Sequence, residues 1–470
     1  MTEKSNLSFY GGPWLSFLPI ISFVSVAIYV ATALEEATIQ GMWVGILAGL
    51  LVTFLFARDK SLYAETIMKG MASKVAIAPV AAWIFAGIFA TVLRSSGLVD
   101  GVLWAAYHTG ATGTAFVVVS FIASALFATA AGTGFGTIAA GMGVLYPAGV
   151  LLGADPLLMA GAIVGGGAFG DNLAPISDTT ISSAASQDTD IGGVVRSRLK
   201  YSATAGVITL VLLVVFSLAN SGITAQLPYE VLAEHMDPKG LFMLIPALAA
   251  IYVAMQKGDV IFATTVGILL GMLVAVVTGL NTVDGFLSVE NGALINGVAG
   301  WMSDLSILVL LLAGGIRIML DGGGSDKLIE GLKGYVTTPR GAEASSAGLS
   351  LFLSAMMSIN APAILAVGLS YAKPVGERFK LHPYRRANII DSMACTLVYS
   401  LPWSAALLFA SGLSAKAAES FAGVPALSPI EMTPWVLYAW VLLVVMSVSI
   451  LTGWGRSFVD DQEVVGSRSE

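Results

Sequence analysis

The stretch that decides the fold runs from residue 170 to residue 180 and reads Gly-Asp-Asn-Leu-Ala-Pro-Ile-Ser-Asp-Thr-Thr. Its surroundings are strongly apolar, although the stretch itself contains two carboxylates, three hydroxyls and a proline. A carboxylate at the centre of a bilayer costs at least about 2.5 kcal/mol, so it persists only where it faces a polar cavity or a partner. Pro175 lies between Asp171 and Asp178 and removes a backbone donor, which predicts a broken helix at this point.

The rest of the chain has the composition of a membrane protein. Of its 470 residues, 56% are hydrophobic and only 11% are charged, and the mean hydropathy is +0.84. Soluble domains carry roughly 25% charged residues. The apolar residues form about a dozen blocks of roughly 18 to 25 residues, without the alternation that barrel strands require. The sequence therefore predicts an all-α polytopic protein embedded in the lipid bilayer.

Several functional classes are excluded by what the sequence lacks. The net charge is −7, and no basic stripe supports nucleic-acid binding. The single cysteine, Cys395, and three scattered histidines offer no spacing for a transition-metal site. No glycine-rich loop is followed by Lys-Ser or Lys-Thr, so the energy for any transport is expected from an ion gradient rather than from ATP.

The second half of the chain carries a matching set of interrupted segments. In the first half, a small-residue segment at 131–137 precedes the 170–180 stretch. In the second half, Ser-Ile-Asn-Ala-Pro-Ala at 358–363 precedes Asp-Ser-Met-Ala-Cys-Thr at 391–396 and Leu-Pro-Trp-Ser at 401–404. A matched pair of interrupted hydrophobic segments is typical of transporters built of inverted repeats.

The domain organisation follows from this pairing. We predict a first inverted-repeat half at 1–220, a link at 221–240 and a second half at 241–470. Each half is expected to contain a pair of interrupted segments.

The 170–180 stretch offers the oxygen ligands that a small hard cation prefers. A helix break exposes carbonyl oxygens, and hydroxyls and a carboxylate lie beside it. We therefore predict a sodium site at Asp171, Ser177, Asp178 and Thr179. A buried carboxylate can bind a proton instead, and competition between the two ions at one acid is the minimal mechanism of antiport. The alternative is that both acids only cap helix ends at the membrane interface.

The other segments supply further candidates. In the second repeat they are Asn360, Asp391, Ser392 and Thr396. A helix kink is the alternative for Asn360, and a structural ion pair is the alternative for Asp391. Substrate-contact candidates are Thr133, Gly134, Gly136, Thr137 and Trp403. The glycine segment could form a re-entrant turn whose amides face an anionic or zwitterionic substrate. It could equally be a packing surface of small residues, and Trp403 could be an interfacial anchor.

The 170–180 stretch resembles the Gly-Asp-x-x-(Ser/Ala)-Pro-x-Ser-Asp-Thr-Thr motif of the NhaC-type sodium/proton antiporter family. The length, the apolar blocks and the 401–404 segment are also similar, so the resemblance covers essentially the whole chain. It implies an inner-membrane transporter of the ion-transporter superfamily type, with two inverted repeats whose re-entrant hairpins and broken transmembrane helices meet at the midplane. It also implies that the ion-coupling region comprises Asp171, Asn172, Pro175, Ser177, Asp178, Thr179 and Thr180.

We therefore predict a secondary transporter that is not an enzyme. The simplest function is sodium/proton antiport by alternating access, with sodium as coupling ion or substrate and no other cofactor. The alternative is sodium- or proton-coupled transport of a small amino acid or carboxylate, because the family also includes malate/lactate exchangers. A passive channel is a third interpretation. An intramembrane aspartyl protease is a fourth, but Ala168 replaces the first glycine of its Gly-x-Gly-Asp motif.

The basic residues predict the orientation. Four basic residues lie in the link at 58–74 and five lie in the link at 373–386. Lysine and arginine favour the cytoplasmic side, so both links and the N-terminus are predicted to be inside. The expected location is the inner membrane of a bacterium, as a multi-pass protein. The oligomeric state is left open, and a homodimer is one of the states considered.

Overall fold

The computed structural model describes residues 7–33, 39–175, 177–220, 236–257, 259–299, 301–333 and 336–459. Within these ranges the chain is helical, and the β pairing consists of two isolated bridges, Phe9 with Ala57 and Leu381 with Phe458. The predicted link at 221–240 falls mostly on 221–235, outside the described residues.

The described residues form 23 α-helices. The first ten are α1 (Leu18–Ala33), α2 (Ile39–Phe56), α3 (Lys60–Met71), α4 (Lys74–Ser95), α5 (Leu98–Thr109), α6 (Thr114–Ala131), α7 (Gly134–Leu151), α8 (Pro156–Leu173), α9 (Asp178–Ser186) and α10 (Ile191–Asn220). The next six are α11 (Leu244–Lys257), α12 (Val260–Thr278), α13 (Val283–Leu287), α14 (Ala293–Asn296), α15 (Trp301–Asp321) and α16 (Gly324–Lys333). The last seven are α17 (Pro339–Met357), α18 (Asn360–Val367), α19 (Lys373–Arg378), α20 (Pro383–Ser400), α21 (Ala405–Ser420), α22 (Pro429–Met432) and α23 (Leu437–Thr452).

Many of these helices are long and apolar enough to cross a membrane. The described residues contain eight such spans, and a ninth if the bent pair Pro429–Trp435 and Leu437–Thr452, with an angle of 49°, counts as one. Three further apolar helices are shorter, at Gln40–Phe56, Thr114–Thr129 and Pro238–Ala254. These findings confirm the prediction of a polytopic helical membrane protein.

Helices α8 and α20 end in the same way, and a break separates each of them from the helix that follows. Each has 18 residues and begins with a proline, which is favoured at the first helical position. Each ends in an extended residue followed by a proline, at 174–175 and at 401–402. A serine then caps the next helix, since the Ser177 hydroxyl accepts from the Thr179 N–H and the Ser404 hydroxyl accepts from the Leu407 N–H. The two breaks therefore share one local pattern of extended residue, proline and serine cap.

The helix pair that precedes each broken helix also follows one pattern. Helix α6 ends at Gly132, with φ of 67°, and one extended residue then leads into α7. The Gly113 N–H donates to the Leu152 carbonyl at 3.2 Å, so the far ends of α6 and α7 meet and the pair is a hairpin. Helix α17 likewise ends at a left-handed residue, Ser358 with φ of 60°, before α18 begins. Glycine is favoured at such a position because it has no Cβ.

The two broken spans, one formed by α8 and α9 and the other by α20 and α21, run antiparallel to each other. At the break, the Tyr399 hydroxyl near the end of α20 donates to Asp171 near the end of α8. Farther along α9, Ser183 reaches back to Asp391 in the middle of α20. Just past the end of α9, Asp190 accepts a hydrogen bond from Tyr384, in the first turn of α20. The direction is therefore opposite in the two spans.

The broken spans and the first hairpin are the centre of the protein. In an apolar window of 18 residues within each span, the protein buries 89% of the Pro156–Ser186 window and 78% of the Pro383–Ser420 and Gly134–Leu151 windows. By contrast, only 33% is buried in the corresponding windows of the Ile191–Asn220 and Ile261–Thr278 spans. Since no water is available in the bilayer core, the irregular backbone at the breaks is tolerated because protein surrounds it.

Candidate ion-coupling site

Asp171 lies in the last turn of α8 and is only 4% exposed. One carboxylate oxygen, Oδ1, accepts a hydrogen bond from the Ser177 hydroxyl at 2.7 Å. The other, Oδ2, accepts from the Asn360 amide at 3.0 Å and from the Tyr399 hydroxyl at 2.8 Å. The carboxylate therefore lies where the break after α8, the start of α18 and the end of α20 meet.

The missing N–H of Pro175 frees a carbonyl beside this carboxylate. In a continuous helix, residue 175 would donate to the carbonyl of Asp171, four residues earlier. The Thr179 hydroxyl takes this place and lies 3.2 Å from that carbonyl oxygen. The hydroxyls of Thr179 and Ser177 are 2.9 Å apart. One carboxylate oxygen, one carbonyl oxygen and two hydroxyl oxygens are thereby brought together.

The other residues of the predicted ion-coupling region differ in burial and in their partners. Asp178 is exposed in the first turn of α9, whereas Thr179 and Thr180 are fully buried. The Thr180 hydroxyl accepts from Arg198 at 3.0 Å. Asn172 is also buried, and its side chain extends toward α20. Asp171, Ser177 and Thr179 therefore form the oxygen cluster, with Asp178 outside it.

A second buried acid, Asp391, forms an ion pair with an arginine. Its Oδ2 lies 2.6 Å from Nη2 of Arg198 and 2.8 Å from the Ser183 hydroxyl. Its Oδ1 accepts weaker contacts from the Asn172 amide at 3.3 Å and from the Cys395 thiol at 3.5 Å. Both charged side chains are fully buried. The ion-pair interpretation of Asp391 fits this geometry, although the pair lies deep inside the protein rather than at the membrane face.

Two amide side chains join the acids into one polar region. Asn172 donates to the Ser392 hydroxyl at 3.3 Å and accepts from the Ser202 hydroxyl at 2.7 Å. Asn360 contacts the Cys395 sulfur at 3.6 Å in addition to Asp171. Residues from both predicted repeats therefore surround the site.

The hairpin tip at 132–136 lies against this region. A Cβ added to Gly134 would lie 2.1 Å from the Tyr399 hydroxyl oxygen, so the backbone approaches the site closely here. Thr133 accepts from the Gly136 N–H at 3.3 Å, and the Thr137 hydroxyl donates to the Thr133 carbonyl at 2.9 Å. These polar groups therefore satisfy each other within the hairpin.

Trp403 and Thr396, the remaining predicted site residues, donate hydrogen bonds to backbone carbonyls. The Trp403 indole N–H donates to the Ala355 carbonyl at 3.1 Å, which ties the second break to α17. The Thr396 hydroxyl donates to the Met393 carbonyl at 2.7 Å, within its own helix.

Sequence reasoning missed Arg198, Ser183 and Tyr399. Arg198 stands between Arg196 and Lys200 at the start of a long apolar helix, where it looks like part of an ordinary basic membrane rim. Its neighbours Arg196 and Lys200 are indeed exposed. No signal in the sequence marks the arginine that turns inward.

A sequence model of the Na+/H+ antiporter family matches residues 8–218 and 236–454. The chain belongs to the Na+/H+ antiporter family. This membership confirms the resemblance that the 170–180 motif indicated.

Two curated proteins of this kind are similar in sequence. The malate-2H(+)/Na(+)-lactate antiporter of Bacillus subtilis is 32% identical over 212 residues, which are 44% of this chain and 44% of that protein. The Na(+)/H(+) antiporter NhaC of Alkalihalophilus pseudofirmus is 25% identical over 265 residues, which are 52% of this chain and 57% of that protein. The chain thus spans about half the length of the curated relatives it matches.

One solved structure is similar at a lower level. MtrF of Neisseria gonorrhoeae, from a class of antimetabolite efflux pumps, aligns over 92% of this chain and 96% of its own. The sequence identity is 11% and the TM-score is 0.45. A similarity of this size carries no information about substrate.

Proposed function

We propose that this protein exchanges sodium ions for protons across the bacterial inner membrane by alternating access, with Asp171 as the carboxylate for which the two ions compete. The observation that carries the proposal is the oxygen cluster of Asp171, Ser177 and Thr179 at the break of a buried helix. Family membership supports the same function.

The two oxygens of the Asp171 carboxylate have different tasks. Oδ2 faces two donors, the Asn360 amide and the Tyr399 hydroxyl, which fix the orientation of the carboxylate and stabilise its charge. Oδ1 faces the Ser177 hydroxyl, which can rotate and offer its lone pairs. With Thr179 and the freed carbonyl, this side supplies the hard oxygen ligands that a sodium ion requires.

Exchange follows because the carboxylate carries a single negative charge, which one cation neutralises. No ion pair to Asp171 occurs in the described ranges, so no cation of the protein neutralises this carboxylate in its dry environment. Such a charge is costly unless a cation or a proton neutralises it. Sodium entry therefore displaces the proton, and proton entry displaces sodium. Asp178, exposed beside the cluster, is placed to attract the incoming cation.

Two cavities at opposite ends of α4 support alternating access. A cavity of about 280 Å³ lies between Ser73, near the start of α4, and the face of α18 that includes Pro362. A cavity of about 230 Å³ lies between Leu93, near the end of α4, and the face of α7 that includes Thr137. A helix of 22 residues is about 33 Å long, which is enough to cross the hydrocarbon core, so we propose that the two cavities lie on opposite sides of the membrane. The first cavity lies along α18, which begins just after the left-handed residue Ser358. The second lies along α7, which begins at the hairpin tip at 132–136.

Transport of an organic acid is the second candidate. The cavity beside α18 is lined mainly by apolar side chains, and the charged residue in its described lining is Arg317. The Arg317 Nε donates to Asp321 at 2.8 Å, while 39% of the side chain is exposed. An apolar cavity with one guanidinium suits a small carboxylate. The Bacillus subtilis relative, named as a malate/lactate antiporter, favours the same idea.

The test is sodium-driven proton release from proteoliposomes that contain the purified protein and an internal pH dye. We expect sodium alone to release protons, and Asp171→Asn to reduce the initial rate at least 100-fold because asparagine cannot exchange a proton. The matched control is Asp155→Asn, the same change at the other end of α8. Asp155 caps the helix, accepting from the Leu157 and Leu158 N–H groups, and its other carboxylate oxygen accepts from the Asn220 amide at 3.1 Å. Asparagine caps equally well, and the Asn220 amide can turn its oxygen toward the new amide nitrogen.

Sodium-driven proton release that persists in Asp171→Asn would contradict the assignment of the site. A wild-type protein that responds only after malate, lactate or an amino acid is added would favour the second candidate. In that case Arg317→Gln should reduce solute transport.

A further inference from the structure

We propose that Arg198 is a tethered counter-ion that neutralises Asp391 permanently, so that Asp391 binds no sodium and each chain has one exchange site, at Asp171. This inference rests on the proposed function, and it assigns different tasks to the two buried acids. Both acids lie at interrupted segments and look equivalent in the sequence. The contacts of the two carboxylates separate them.

All five N–H groups of the Arg198 guanidinium have an acceptor. Nε donates to Asn388 Oδ1 at 3.0 Å, and Nη1 donates to the Asn172 carbonyl and to the Thr180 hydroxyl. Nη2 donates to the Ser183 hydroxyl at 3.2 Å and to Asp391 at 2.6 Å. A guanidinium has five donors in a fixed plane, so this arrangement leaves none unused.

This arrangement opposes release of the arginine during transport. Removing Arg198 from its place would leave several buried acceptors unpaired and two buried charges uncompensated, which is strongly unfavourable. A sodium ion would therefore have to displace a tethered, fully hydrogen-bonded cation to reach Asp391.

The acceptors of Arg198 also explain why a cation is needed there. The Asn172 carbonyl belongs to the last turn of α8, whose carbonyls have no partner within the helix and carry partial negative charge. Asp391 and this carbonyl together form an anionic site between the two broken spans. Arg198 fills it from α10 and contacts α8, α9 and α20 at once.

Asp171 differs from Asp391 in the charge of its partners. The groups that donate to Asp171 are two hydroxyls and an amide, all neutral. Its negative charge therefore remains available to a mobile ion. The protein neutralises Asp391 with Arg198, and the transported ion neutralises Asp171. We therefore expect one bound sodium ion per chain.

The experiment counts sodium ions bound per chain. Purified full-length protein in detergent is equilibrated with radioactive ²²Na+ at alkaline pH, and bound sodium is measured at saturation. We expect about one ion for wild type, about one for Arg198→Lys, which keeps the charge, and about two for Arg198→Gln, which opens Asp391. The double variant Arg198→Gln/Asp391→Asn, which removes both charges, should return to about one ion.

Each outcome decides the matter. Two ions in the wild type, one ion in folded Arg198→Gln, or no ion in the folded double variant would overturn the proposal. If Arg198→Gln does not fold, the double variant carries the test, because it has no unpaired buried charge. Failure of the proposed function gives a different result: the wild type would bind no sodium, or Asp171→Asn would still bind its ion.

Discussion

Removal of one hydroxyl, in the variant Tyr399→Phe, tests how the Asp171 carboxylate is tuned. The Tyr399 hydroxyl donates to Asp171 Oδ2 at 2.8 Å and is fully buried. The bond favours the charged carboxylate, which is the form that binds sodium, over the protonated form. Its loss therefore favours the proton in the competition between the two ions.

The size of the effect follows from the kind of hydrogen bond that is lost. A hydrogen bond to a charged group contributes about 1.5 to 3 kcal/mol, and one between neutral groups contributes about 0.5 to 1.5 kcal/mol. The difference between the two forms of the carboxylate is thus about 1 to 1.5 kcal/mol. At 1.4 kcal/mol per factor of ten, the half-saturating sodium concentration should rise about 5-fold to 12-fold at fixed pH. Since the proton is the competitor, raising the pH by about one unit should restore most of the loss.

The assay is sodium-driven proton release from proteoliposomes, with the sodium concentration varied at two pH values. Tyr371→Phe is the matched control, because it removes a buried hydroxyl that has no hydrogen-bond partner in the described part of the chain. An unchanged half-saturating sodium concentration in Tyr399→Phe would refute the reasoning. An equal increase in Tyr371→Phe would refute it as well.

Two further predictions concern the hairpin tip and the end of α9. In Gly134→Ala, the added Cβ would lie 2.1 Å from the Tyr399 hydroxyl oxygen, so we expect the initial rate of transport to fall at least tenfold. The control is Gly348→Ala, whose added Cβ meets no atom within 4 Å and should leave the initial rate unchanged. The hydrogen bond from Tyr384 lowers the pKa of the exposed Asp190 carboxyl in the folded state. Above the unfolded-state pKa of about 3.9, this carboxylate therefore stabilises the folded state. The stabilisation is lost as the pH falls through the lowered pKa of the folded state. Tyr384→Phe should therefore lower the melting temperature at pH 7 but not at about pH 2, and an equal loss at both would contradict this account.

Much of the fold and part of the site could be predicted because their causes are local. Pro175 removes a donor within its own helix, and Ser177 caps the next helix two residues later, so a break and its oxygen cluster follow from adjacent residues. The same holds for the turn at Gly132, where a positive φ favours glycine. The partners of the cluster could not be predicted, since Tyr399 reaches Asp171 across 228 positions of the chain.

The sequence by itself determined that this protein is a helical membrane protein with paired interruptions, because apolar length, proline and caps act over one or two turns of chain. Only the tertiary structure decided which acid has a charged partner. Asp391 meets Arg198 from a helix far away in sequence, Asp178 is exposed, and Asp171 has neutral partners. The physical reason is that the charge state of a buried acid depends on what is packed against it, and that is set by contacts between distant segments.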